Sequence, residues 1–127
     1  MFALYIALGG ALGAVARYVL GSWIHSWAGP GFLWGTFAIN ATGSLLIGLS
    51  LHCLNTTHAA PELRAFVTTG LLGAFTTFST FTYEAIMLLQ EGAWARAAAY
   101  TLGSLAIGLL AAGSGLYIGE RLLPPAG

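Results

Sequence analysis

Four long apolar runs, separated by short polar connections, dominate the sequence. They cover residues of about 3–24, 32–54, 63–89 and 94–120. Each run approaches or exceeds the roughly 20 residues that a helix needs to cross a bilayer core. Short connections force neighbouring helices to run antiparallel, and an even number of spans places both termini on one side. The pattern predicts an all-α integral membrane protein with four transmembrane helices in a single domain of residues 1–127.

The third run differs from the others because hydroxyl groups and glycines interrupt it. Its segment 70–81 reads GLLGAFTTFSTF and carries four hydroxyl side chains: Thr76, Thr77, Ser79 and Thr80. A break in a helix at membrane depth is tolerated where it is buried in protein or lines a cavity. The segment therefore predicts that the third helix is broken near residues 73–77. Such a break frees carbonyl groups that can bind a cation and N–H groups that can face an anion.

Polar residues also recur at helical spacing in the second and fourth runs. Thr36, Asn40 and Ser44 are four residues apart and share one face of the second helix, as Tyr100 and Ser104 do in the fourth. A polar face that lacks a carboxylate and carries amide donors suits an anion path better than a cation path. The alternative is that these groups only form hydrogen bonds between helices.

Three phenylalanines, Phe75, Phe78 and Phe81, are three residues apart and are predicted to share one side of the third helix. The edge of an aromatic ring is positive, so these rings could contact an anion edge-on, although core packing is the simpler interpretation. Arg17 lies within the first run, where a charge costs about 2.5–3.5 kcal/mol on insertion scales. We expect it to snorkel, to pair with a carboxylate or to face water, and we expect Glu84 near the end of its span to be a vestibule charge or a partner for an arginine.

Composition excludes several functions. The chain is 57% hydrophobic and only 6% charged, whereas soluble domains carry about 25% charged residues. The formal net charge of zero leaves no basic patch for a nucleic acid. Cys53 is the one cysteine, and together with three histidines near the connections it shows no zinc-ligand spacing. We expect His25, His52 and His58 to be interfacial residues.

The arginines give no clear orientation in the membrane. Excess Lys and Arg mark the cytoplasmic side. Arg64 and Arg121 fall on the side of the termini, while Arg96 and, if it lies nearer that end of the first span, Arg17 fall on the other. One interpretation is that the chain inserts in both orientations, and two inverted copies could then form an antiparallel homodimer, as in transporters built from inverted repeats. The alternative is that Arg17 is buried and the other charges set one orientation weakly.

Three motifs together resemble a known family. GGALGAVARY in the first run, GTFAINATGS in the second and GAFTTFSTF in the third, with the polar face of Tyr100 and Ser104, are similar to the small fluoride channels called Fluc or CrcB. The resemblance covers nearly the whole chain. It implies an antiparallel, dual-topology homodimer in the lipid bilayer of a bacterial-type plasma (inner) membrane, with two pores that are each lined by both subunits.

The resemblance also implies roles for individual residues. The fluoride pathway would contain eight of them: Asn40, Phe78, Phe81, Ser79, Thr80, Thr36, Tyr100 and Ser104. Arg17 and Glu84 would belong to the vestibule. A structural sodium ion (Na+) would be held at the helix break by backbone carbonyl groups, which map to Gly73 and Thr76 of both chains.

The expected function is passive, selective fluoride permeation out of the cell, and not an enzymatic reaction. A fluoride pore must bind the ion strongly enough to admit it and weakly enough to release it. An alternative is a small multidrug-type, proton-coupled exporter, which needs a carboxylate deep in the membrane. The first two runs contain no Asp or Glu, and Glu84 comes late in the third. A non-transporting assembly subunit would leave the aligned polar residues unexplained.

Overall fold

The structure is a computed structural model that describes residues 1–30 and 33–124, and every regular element in these residues is helical. The elements in chain order are α1 (Phe2–Ala28), α2 (Trp34–Thr56), α3 (residues 61–75), α4 (Phe78–Gln90) and α5 (Trp94–Leu122). Within the described residues, α1, α2 and α5 are long and apolar enough to cross a membrane by length and composition. Helices α3 and α4 are the two halves of the third predicted span.

The predicted span limits agree with these helices to within a few residues. The predicted start of the second span at residue 32 lies outside the described residues. The first helix continues to Ala28, four residues beyond the predicted end at residue 24. The difference arises because an apolar run marks the hydrocarbon core, whereas a helix can continue into the headgroup region.

The third span is broken, as the hydroxyl-rich segment predicts. Pro61 begins α3 at a position where the missing N–H has no helical partner. Residues Ala65–Leu72 form a π-helix, a wider turn that the sequence analysis did not predict, and Gly73–Phe75 form a last α-helical turn. Thr76 (φ −80°, ψ 157°) and Thr77 (φ −147°, ψ 113°) are then extended, and α4 begins at Phe78. The break therefore falls within the predicted window of residues 73–77.

Glycines allow the helices to approach each other closely. Gly9 and Gly13 of α1 are buried, and a Cβ atom at either would meet backbone atoms of α3. Gly115 of α5 is buried in the same way against the backbone of α2 at Leu45. Close backbone approach of this kind lets helices pack in lipid, where burial of apolar surface drives little association.

Few side chains are buried within one chain. Among the residues that the structure describes, the buried hydrophobic ones are Ile39, Leu72, Phe75, Leu88, Ala97 and Tyr100. Many large apolar side chains on α1 and α5 are exposed, including Leu12 (58%) and Leu109 (67%). A soluble monomer rarely exposes so much contiguous apolar surface. The outer surface of this helical protein is therefore suited to lipid or to another protein chain.

Candidate functional site

Asn40 of α2 lies against the break and pairs with both backbone groups of Thr77. Its Nδ2 donates to the Thr77 carbonyl oxygen at 3.0 Å, and its Oδ1 accepts from the Thr77 N–H at 2.8 Å. A helix break removes the helical partners of such groups, and leaving them unpaired in lipid is costly. The side-chain amide of Asn40 thus supplies hydrogen bonds to the backbone at the point where the helix is interrupted. Of the two N–H groups of Asn40, one remains for the anion contact that the sequence predicts.

The hydroxyl groups of Thr76, Thr77 and Thr80 at the break form hydrogen bonds to the backbone or to each other. Thr77 is the N-cap of α4, because its Oγ1 accepts from the Thr80 N–H at 3.2 Å. The same Oγ1 donates to Thr80 Oγ1 at 3.0 Å. Thr76 Oγ1 donates to the Leu72 carbonyl at 3.1 Å. The sequence analysis did not separate these capping roles from the predicted ion contacts.

Two N–H groups that bond elsewhere leave two carbonyls at the break, those of Gly73 and Thr76, without their helical donors. In a continuous α-helix the N–H of Thr77 would bond to the carbonyl of Gly73, and that of Thr80 to the carbonyl of Thr76. Here the first bonds to Asn40 and the second to Thr77 Oγ1. The carbonyls of Gly73 and Thr76 therefore lose the donors that a continuous helix would give them. These oxygen atoms have the chemistry that an alkali cation requires.

The three phenylalanines do not share one helical side, and this prediction is wrong. Phe75 precedes the break and is buried in the core (7% exposed), whereas Phe78 follows it and is 77% exposed. The two extended residues between them interrupt the helical periodicity on which the prediction depended. Phe78 and Phe81 do lie together, with ring centroids 5.9 Å apart, and Phe81 continues to Tyr100 at 5.3 Å.

Glu84 connects three helices through two hydroxyl donors. Thr36 Oγ1 donates to Glu84 Oε1 at 2.9 Å, and the hydroxyl of Tyr100 donates to Oε2 at 2.5 Å. Tyr100 is fully buried, with 0% of its surface exposed. Hydrogen bonds to an ionised carboxylate are stronger than neutral ones. The structure therefore brings together Thr36, Tyr100 and Glu84, three residues that the sequence analysis assigned to separate positions along the pathway and vestibule.

Two open cavities border the break. The first, here called the groove, has a volume of about 540 Å³, and its lining includes Asn40, Gly73, Thr76, Phe78, Phe81 and Ser104. The second, the α1 cavity, has a volume of about 530 Å³, and its lining includes Arg17, His25, Thr36, Thr80 and Glu84. Thr77 lines both of them. Six of the eight predicted pathway residues thus line one cavity or the other, and the two cavities share Thr77.

In the described part of the chain, two predicted pathway residues line neither cavity, and a third has a buried hydroxyl without a partner. Tyr100 and the exposed Ser79 are absent from the described linings of both cavities. Ser104 lines the groove, and its Oγ is buried without a hydrogen-bond partner among the described residues. An unpaired buried hydroxyl costs about 1–3 kcal/mol. Ser104 is therefore suited to contact a molecule or ion that enters the groove.

Comparison with known proteins identifies the family of this chain. Residues 4–116 match the family described as CrcB-like protein, Camphor Resistance (CrcB). The chain is 48% identical over 121 residues to a protein of Acidobacterium capsulatum that is named "Fluoride-specific ion channel FluC", a match that covers 94% of this chain and 97% of the relative. A protein of the same name from Thermus thermophilus is 47% identical, with 94% of each chain covered. A third, from Agrobacterium fabrum, is 45% identical, with coverage of 92% of this chain and 94% of the relative. The chain is therefore a multi-pass membrane protein that belongs to the CrcB-like family.

Proposed function

We propose that this protein is a fluoride-selective channel that lets fluoride leave the cell passively and so lowers its cytoplasmic concentration. The observation that carries the proposal is the division of polar side chains between two cavities that share Thr77. The names of the relatives support fluoride as the ion. A bacterial inner membrane is the expected location.

The chemistry of the two cavities suits a small, strongly hydrated anion. Hydrogen-bond donors and positive ring edges must replace the water that the ion loses. The groove offers the second N–H of Asn40, the unpaired hydroxyl of Ser104 and the rings of Phe78 and Phe81. The α1 cavity adds the charge of Arg17. Neutral donors in the groove bind an anion without the full charge that would trap it.

A second, inverted copy of the chain would complete the groove. Phe78 is 77% exposed although it lines the groove, and the groove is open on one side of the chain. We propose an antiparallel homodimer of dual topology in which each pore is lined by both subunits. A partner chain would cover this face and bury the helix break, which lipid alone would not tolerate.

A structural sodium ion at the dimer axis fits the carbonyl groups at the break. Gly73 and Thr76 both line the groove, and both of their carbonyls have lost their helical donors. When bound, sodium would supply a positive field next to the anion path. The side chain of Thr76 is engaged with the Leu72 carbonyl, so its backbone oxygen is the natural ligand.

Fluoride efflux from liposomes tests the main proposal. Purified protein should release fluoride but not chloride, as measured with ion-selective electrodes, and absence of fluoride release would refute the channel. Phe78→Ala should reduce the rate at least tenfold, because it removes the exposed ring from the groove. Phe2→Ala is the matched control, since Phe2 is also exposed (49%) but lies at the start of α1. Equal rates for the two variants would contradict the assignment of the groove to the pathway.

One observation favours a proton-coupled exporter as a second candidate. Glu84 is a partly buried carboxylate in the α1 cavity, and such groups can carry a proton in transport. The two functions differ in their energy source. A channel releases fluoride at equal pH on both sides of the membrane, whereas an exporter moves its substrate against a gradient only when a proton gradient is applied.

A further inference from the structure

We propose that His25 acts as a protonatable residue at the mouth of the α1 cavity and increases anion entry when it carries a proton. The inference rests on the proposed fluoride channel and concerns the regulation of that site. The three histidines have different surroundings. His25 lines the α1 cavity, whereas His52 bonds to the Leu123 carbonyl at 2.8 Å and the exposed His58 lies in the connection between α2 and α3.

The position of His25 on α1 places it toward the outer end of the cavity. It lies in the last turn of α1, and Arg17 lies eight residues earlier on the same helix. At a rise of about 1.5 Å per residue, the two positions are about 12 Å apart along the helix axis. Both side chains nevertheless line the same cavity. An anion that approaches from the end of α1 therefore meets His25 before it reaches Arg17.

Because the other charges around the α1 cavity cancel, the protonation state of His25 determines the net charge of the cavity. The titratable or charged residues in the lining, besides His25, are Arg17 and Tyr18 from α1 and Glu84 from α4. The lining residues from α2 are Gly35, Thr36 and Ile39, which are neutral. Arg17 and an ionised Glu84 cancel formally. The cavity is thus close to neutral with His25 uncharged and carries about one positive charge with His25 protonated.

Histidine is the side chain whose charge ordinarily changes between about pH 5 and 8. Protonation adds positive charge, so anion entry should rise as the pH falls. A cavity lined by one sign of charge raises the local concentration of the opposite ion. One charge at the mouth, about 8 Å from the ion in a water-like environment, changes that concentration by about twofold. Because the Debye length shrinks from about 30 Å at 0.01 M to about 3 Å at 1 M, concentrated salt should remove the effect.

The experiment compares fluoride release from liposomes at pH 7.5 and pH 5.5, with the same pH on both sides, at low ionic strength. Protein-free vesicles correct for undissociated HF that crosses the lipid. The variants are His25→Gln, which stays neutral, and His25→Lys, which stays charged. His58→Gln is the matched control, because His58 is exposed but lies outside the described lining of the α1 cavity.

The wild type and His58→Gln should release fluoride about twofold faster at pH 5.5 than at pH 7.5. His25→Gln should be slow and His25→Lys fast at both pH values, and these differences should vanish at about 1 M salt. Equal pH responses of the wild type and His25→Gln, or a pH response that persists in His25→Lys, would overturn this inference alone. Absence of fluoride release from the wild type at both pH values would instead refute the channel, and this inference with it.

Discussion

Replacement of Asn40 by alanine should destabilise the protein by about 2–4 kcal/mol. The substitution removes two hydrogen bonds, of 3.0 Å and 2.8 Å, to the backbone of Thr77. A buried polar group that loses its partner costs about 1–3 kcal/mol. Hydrogen bonds between membrane helices average only about 0.6 kcal/mol when the released groups find other partners. The higher value applies to the Thr77 N–H, because Thr77 is extended and buried and this N–H has no helical carbonyl to which it could return. The Thr77 carbonyl loses less, because as the N-cap of α4 it also accepts the first hydrogen bond of that helix.

Reversible unfolding in mixed detergent micelles measures this change, with the fluorescence of the four tryptophans as the signal. Asn55→Ala is the matched control. Asn55 accepts a bond of 2.6 Å from Arg64 on an exposed surface, so its loss should cost less than about 1 kcal/mol. If Asn40→Ala is as stable as Asn55→Ala, the pairing with Thr77 does not hold the break together.

Fluoride flux through the same variants separates two roles of Asn40. If Asn40 acts mainly on the break, Asn40→Ala should lose stability and flux together. Asn40→Asp keeps the acceptor for the Thr77 N–H but places a carboxylate oxygen against the Thr77 carbonyl and adds a charge at membrane depth, so its stability should fall at least as far as that of the alanine variant. Loss of flux in Asn40→Ala with unchanged stability would instead identify the amide as a direct ligand of the ion.

Three further substitutions test other contacts. Gly13→Ala should lower stability in detergent by about 1–3 kcal/mol, because its Cβ would meet the backbone of α3; Gly10→Ala, which would meet nothing within 4 Å, should be neutral, and equal effects would contradict the close packing. Tyr100→Phe should cost about 1.5–3 kcal/mol in the same unfolding assay, because Glu84 loses a donor at 2.5 Å while the ring is kept; an unchanged midpoint would mean that water replaces the hydroxyl. Thr76→Ser should change the sodium dependence of flux by less than about twofold, or about 0.4 kcal/mol, because the proposed ligand is the backbone carbonyl of this residue. A large loss would point to the threonine side chain as a ligand.

The arrangement of the helices was largely predictable from the sequence. Apolar runs report how much chain lies in the bilayer, so they identified the spans to within a few residues. Glycines and hydroxyls in segment 70–81 identified the break, since both weaken a helix that lipid would otherwise enforce. The π-helix of Ala65–Leu72 was not predictable in this way. Its residues are common in buried helices. Its widened turn lies where Gly9 and Gly13 of α1 approach its backbone closely.

The partners of the polar residues were less predictable than their positions. Asn40 and Thr77 are 37 residues apart in the chain, and Thr36 and Glu84 are 48 apart. Periodicity shows which face of a helix is polar, but it does not show which neighbour that face meets. The sequence therefore indicated Asn40 as a donor without indicating that the backbone of Thr77 takes one of its two N–H groups and bonds to its oxygen. Periodicity failed for Phe75 for a different reason, because two extended residues separate it from Phe78 and interrupt the helix.

The hydrogen bonds at the break also determine which donors remain for an ion. Thr77 lines both cavities, but its N–H, its carbonyl and its hydroxyl are all engaged. Thr80 accepts from the Thr77 hydroxyl, so its own hydroxyl proton is left to point elsewhere, and Thr80 lines the α1 cavity. Asn40 keeps one N–H and lines the groove. In the proposed channel, fluoride would therefore pass from the hydroxyl of Thr80 to the amide of Asn40 across a residue that offers it no donor, which makes Thr77 the wall between two binding regions and not a site itself.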